Sequence, residues 1–206
     1  MILIHRLFKI KTFSISFLFI ITINSSIWSQ GPVRQTELYN DVKDELEQIK
    51  ESPKDSILQY LDKKFVIAQE NKDLATVRLI AFEKAIIYDF MLDLDGLYEM
   101  SNLCIDISEK LENPKEECKI LLVGYYYEVR DMEKGKALAL EIEKEALENK
   151  DTSLLIYVDN FLGMIMEEMS DNEQALNYYL KGIKYAEASD NLISCLLYTS
   201  PSPRDS

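Results

Sequence analysis

Residues 159–188, DNFLGMIMEEMSDNEQALNYYLKGIKYAEA, decide the fold. They read as two amphipathic helices joined by the polar turn Ser170, Asp171 and Asn172, whose side chains suit a helix start. Gly163 and Gly182 stand inside the helices, where a glycine costs about 1 kcal/mol against alanine. Close packing of a neighbouring helix is the physical reason to keep them. A helical hairpin cannot bury its apolar face alone, so such a unit implies others stacked beside it.

Working outward, the unit recurs. Ala85, Gly124 and Gly163 stand 39 residues apart, with Tyr88, Tyr127 and Met166 three residues beyond each. The segment ILQYLDKKFVIAQENKD, from Ile57, aligns with ALNYYLKGIKYAEASDN, from Ala175. Leu162 and Gly163, then Ala175, Tyr179 and Gly182, occupy the L-G, alanine, aromatic and small positions of the tetratricopeptide repeat (TPR) family, and the stretch resembles a TPR unit. That resemblance implies an all-α fold: a right-handed TPR-like helical-hairpin solenoid, here of about three and a half repeats of ~39 residues. Turn signals and periodicity predict helices near 37–50, 54–70, 74–91, 96–111, 115–130, 133–148, 152–169 and 172–188.

Residues 30–52 predict an N-terminal capping helix, with Leu38, Val42, Leu46 and Ile49 on one face, and residues 53–194 the array. Ser52 and Pro53 mark the start of the next helix, and Asn113, Pro114 and Glu116 a capping-box-like start further on. Residues 1–29 carry Arg6, Lys9 and Lys11 and no acid ahead of the apolar run 13–23. They predict a signal peptide, the alternative being an uncleaved membrane anchor. The tail 195–206 breaks the composition abruptly. Its CLLYTSPSPRD is what one frame of a widely used transposase sequencing adapter encodes, so the expectation is an artefactual tail on a truncated fragment.

Of 23 Lys and Arg and 36 Asp and Glu, three basic residues fall in 1–29 and one of each sign in 195–206. Residues 30–194 thus hold 19 against 35, a net charge of −16, which repels nucleic acid and anionic membranes. His5 is the only histidine and lies in the expected signal peptide, so the rest has no imidazole for base catalysis or metal binding. The glycines never cluster into a phosphate-cradling loop, and Met91 and Asn102 stand where a calcium loop around Asp93, Asp95 and Gly96 needs acids. Neither cofactor, metal nor small-molecule substrate is implied. For Cys104 and Cys118, a hairpin centred near Asn113 offsets the two along the helix axis by more than the ~7 Å a disulfide tolerates between α-carbons. The expectation is two free, buried thiols.

These features exclude most enzyme classes and point to an exported, non-catalytic scaffold, periplasmic or in the cell envelope, that binds a protein or peptide segment. The alternative is the sensory ectodomain of a longer membrane signalling protein. Family resemblance places contact residues three before, one after and four after the small inner-helix residue. Here these are Phe82, Leu121 and Asn160; Ile86, Tyr125 and Met164; and Asp89, Glu128 and Glu167. An apolar strip beside an acidic ladder implies a basic partner with apolar anchors. Of the three consecutive tyrosines, Tyr127 is expected in the core and Tyr125 in the groove.

Overall fold

The computed structural model describes residues 36–188. The expectations for 1–29, 189–194 and 195–206 lie outside them. Among the described residues there are eight α-helices and no strand: α1 (Glu37–Ile49), α2 (Lys54–Glu70), α3 (Leu74–Met91), α4 (Leu94–Lys110), α5 (Glu116–Glu128), α6 (Met132–Asn149), α7 (Thr152–Glu168) and α8 (Asn172–Ala188). The fold is all-α, and the helix boundaries lie within three residues of those predicted. No described helix is long and apolar enough to cross a membrane. The residues divide into two compact units, one ending at Glu128 and the other beginning at Val129.

One turn design recurs. The residues after α2, α3, α4, α6 and α7 include Lys72, Leu92, Glu112, Lys150 and Ser170, all left-handed with φ between 53° and 65°. Each is followed by an amide that reaches five residues back, as Asp73 to the Ala68 carbonyl and Asp171 to the Met166 carbonyl, both at 2.9 Å. The left-handed residue bonds three back, completing a Schellman close. The next residue then caps the following helix. Asp73, Asp93, Asp151 and Asp171 accept from the backbone N–H three residues on, at 2.9 to 3.1 Å. One aspartate therefore ends one helix and starts the next, which is why α4 begins at Leu94, two residues earlier than predicted.

The exception is Asn113. The α4 end closes normally, but α5 begins only at Glu116, and residues 113–115 run non-helically. The predicted Asn113 cap and first-turn Pro114 are not used; Asn113 Oδ1 is buried without a partner. At the α2 start the shift is one residue: Pro53, not Ser52, holds the cap position, with no side-chain cap bond.

In the first unit, α3 is the central element. Thirteen of its 18 residues are buried, because α1, α2, α4 and α5 all pack on it. Tyr39 and Val42 turn α1 onto this core, with Leu38, Leu46 and Ile49 partly buried beside them. Thr36 caps α1 through the Tyr39 N–H at 3.0 Å and donates its hydroxyl to Asp73. Lys84, buried on α3, reaches Asp62 of α2 at 2.7 Å and lies over the Phe65 and Tyr88 rings. In the second unit, α7 packs on both α6 and α8.

The two hairpins α3/α4 and α7/α8 solve the same packing problem with exchanged parts. In α7/α8 the small residue is Gly163, and a Cβ there would overlap the Tyr179 ring. At the corresponding positions of α3/α4 stand Ala85 and the buried Ser101. There the bulk is supplied by Tyr88, whose ring lies 2.7 Å from where a Cβ of Gly96 would stand. Gly163→Ala is expected to lower unfolding free energy by about 1–3 kcal/mol through overpacking. Adding Tyr179→Leu should recover most of the loss, read by urea denaturation.

Candidate functional site

The face predicted from the repeat register is built mostly from α3 and α5 in the first unit. Phe82, Ile86 and Leu121 on it are buried in packing, at 4%, 3% and 1% exposure. They support the face rather than form its open surface. Tyr125 and Glu128 are half-buried. Tyr125 lies against Tyr98 of α4, ring centroids 4.8 Å apart, and Tyr126 meets Tyr125 edge-on at 5.5 Å. Tyr127 is buried, as the helical wheel requires. Tyr98, Phe90 and Met91 are exposed, so an aromatic and apolar surface accompanies the α3 end and the α4 start.

Asp89 stands out chemically. It is 5% exposed, and the charged group that acts on it is another acid, Glu128. Burial, and then the charge of Glu128, push its pKa up to about 7. Asp89 and Glu128 each stand four residues after a small inner-helix residue, Ala85 and Gly124, and the fold brings them into electrostatic contact. Such a carboxyl is half neutral at physiological pH and becomes fully ionised when a cation approaches.

In the second unit, Asn160 and Met164 are half-buried on α7, with Asn160 Nδ2 3.8 Å from Met164 Sδ. Glu167 is exposed and accepts from the Tyr179 hydroxyl at 3.2 Å. Elsewhere in the first unit, an open depression of about 900 Å³ is lined by Thr36, Asp41, Lys72, Asp73, Lys110 and Glu112, a mixture of signs. Among the described residues no three His, Cys, Asp or Glu side chains gather to hold a metal ion.

The free-thiol expectation is overturned: Cys104 and Cys118 form a disulfide, their α-carbons 5.8 Å apart. The offset argument treated the α4–α5 connection as a tight turn. Residues 113–115 instead form a non-helical run between the α4 close and the α5 start. With this longer connection Cys118 lies within disulfide reach of Cys104. Beside the bond, Ser108 donates to the Cys104 carbonyl at 2.8 Å and lies 3.7 Å from Cys118 Sγ.

Sequence reasoning missed Tyr98, although its place off the buried Leu97, Met100, Ser101 and Cys104 stripe made its exposure readable. It also missed Arg78 and Asp159, buried charges that periodicity alone does not flag. Comparison of the chain with protein-family models, with curated proteins and with solved structures gives no match.

Proposed function

We propose that this chain is a TPR-like helical-hairpin array of repeats of ~39 residues that binds a protein or peptide segment and catalyses no reaction. The hairpins α3/α4 and α7/α8, the packing of α3 on α5 and the recurring aspartate turn support the repeat reading. The observation that carries the binding reading is Asp89, a buried carboxyl set beside a second acid, Glu128, and close in sequence to exposed Phe90 and Met91. Burying such a group costs free energy unless something neutralises it. A Lys or Arg side chain from a partner, flanked by apolar anchors, does so. The Cys104–Cys118 disulfide favours an oxidising compartment and hence export.

The test is an array of short synthetic peptides probed with the purified chain. Peptides that combine Lys or Arg with spaced Leu or Phe should be captured, and their acid-for-base counterparts should not. Asp89→Asn is expected to weaken a captured peptide about tenfold, ~1.4 kcal/mol. Glu128→Lys should weaken it and flatten its salt dependence, while Glu167→Lys, at an exposed rim, changes association rate more than affinity. Capture of acidic and basic peptides alike defeats the reading.

A further inference from the structure

Asp159 breaks the rule of its own repeat. The positions 39 and 78 residues earlier hold Ile120 and Ala81, both apolar and buried, at 6% and 0% exposure. Asp159 is likewise 0% exposed, yet it is an acid. Neither of its carboxylate oxygens receives a hydrogen bond. A core position that violates local logic without compensation is where a built-in device is to be sought.

The charged groups facing Asp159 come from both helices packed on α7. From α6 comes Glu143, whose side chain is only 14% exposed; from α8 come Lys181 and the Tyr178 hydroxyl. Lys181 Nζ donates to Glu143 Oε1 at 2.9 Å and lies 4.7 Å from the Tyr178 ring centroid. Lys181 is thus engaged with Glu143, and the fully buried Asp159 carboxyl faces the mostly buried Glu143 carboxyl with one ammonium nearby. Two ionised carboxylates have no donor to offer each other. A single added proton gives one of the two Asp159 oxygens a hydrogen bond to make and removes the repulsion between the carboxylates.

We infer that Asp159 carries a proton which it shares with Glu143, and that this chain of Asp159, Glu143 and Lys181 is a pH-sensitive clasp joining α6 to the α7/α8 hairpin. Protonated, Asp159 donates to Glu143, which also accepts from Lys181, and one of the two partnerless Asp159 oxygens gains a partner. Deprotonated, the cluster holds two negative charges against one positive. That repulsion loosens the packing of α6 on the α7/α8 hairpin. Burial, followed by the charge of Glu143, raises the Asp159 pKa to about 7, so the transition falls near neutrality.

The sign follows from linkage. A carboxyl whose folded pKa lies above its unfolded value of about 3.9 contributes stability that is complete below that value and is lost as pH rises through about 7. Between those limits the folding equilibrium constant should fall by close to tenfold per pH unit on account of this one group. Asp89 adds a similar trend, so the informative quantity is the difference between variants.

The experiment compares the full chain with Asp159→Asn by urea denaturation from about pH 5 to about pH 8. The asparagine keeps a donor for Glu143 and cannot ionise. The variant is expected to lose most of the slope that Asp159 supplies and to be the more stable protein at the alkaline end. Equal slopes in the two proteins overturn the inference. Should Asp159→Asn not fold, a carboxyl carbon NMR titration of the natural residue decides: a midpoint near 7 supports the clasp, and a midpoint below about 5 overturns it.

Discussion

Changing Arg78 to methionine is expected to cost the first unit about 3 kcal/mol of unfolding free energy, because Arg78 joins α3 to the α4–α5 connection. Its side chain is 7% exposed. Nε donates to Ser108 Oγ at 2.6 Å, Nη2 to the Pro114 carbonyl at 3.0 Å, and Nη2 lies 3.7 Å from Glu117. Burial pulls the guanidinium pKa down and Glu117 pushes it back up. Methionine fills much of the volume but leaves the Pro114 carbonyl without its donor, and strands Glu117 beside an apolar wall. Arg78→Lys keeps the charge yet cannot reach all three acceptors in the guanidinium's fixed fork, so it should lose about half as much. Guanidinium chloride denaturation of the two variants checks both numbers. Equal stability of the natural and methionine proteins would show that the connection is held by something else.

Removing the disulfide is the second large perturbation. Cys104 and Cys118 are 14 residues apart, and a loop of that length confines the unfolded chain by about 3 kcal/mol. The double variant Cys104→Ala, Cys118→Ala should lose about that much, and reduction of the natural protein should lose a similar amount. The site is next to the Arg78 network through Ser108, so the losses are coupled. Once the cystine no longer tethers α4 to α5, the Arg78 bonds to Ser108 and Pro114 carry the connection alone. Combining Arg78→Met with the double alanine change should therefore cost more than the sum, about 1 kcal/mol beyond it. Strict additivity would mean that the two fastenings act on separate parts of the structure.

The helices were legible because their signals are local. The 39-residue register of Ala85, Gly124 and Gly163, the aspartates before α3, α4, α6, α7 and α8, and the apolar stripes fix type and position without reference to the rest of the chain. Asn113 shows where local logic stops. It has the right residue type for a cap, with a proline and an acid correctly placed, yet the Arg78 guanidinium claims the Pro114 carbonyl and the chain stays non-helical to residue 115. That bond joins positions 36 residues apart. The disulfide was misjudged for the same reason, since its geometry depends on the non-helical run.

The candidate site was legible in residue type and only partly in exposure. Register placed Asp89 and Glu128 on corresponding positions, and the fold brings them into electrostatic contact. It did not reveal that Phe82, Ile86 and Leu121 are consumed by packing, because α3 is enclosed by four helices and has little open face left. The sequence reading assigned Asp159 no role. Its burial against Glu143 and Lys181 distinguishes it from the solvated acids that dominate this chain, and the apolar Ile120 and Ala81 at the same register are the sequence signal that could have found it.

The central claim is that Asp89 waits for a cation. A carboxyl carbon NMR titration of Asp89, run on the free chain and on its complex with the strongest Lys- and Leu-containing peptide of the array, tests it most directly. In the free chain the midpoint should stand at about 7. In the complex it should fall by about two units or more, with peptide affinity dropping correspondingly as the free chain is acidified below that midpoint. A midpoint that stays where it was while the peptide is bound would place the partner's cation elsewhere and contradict the account.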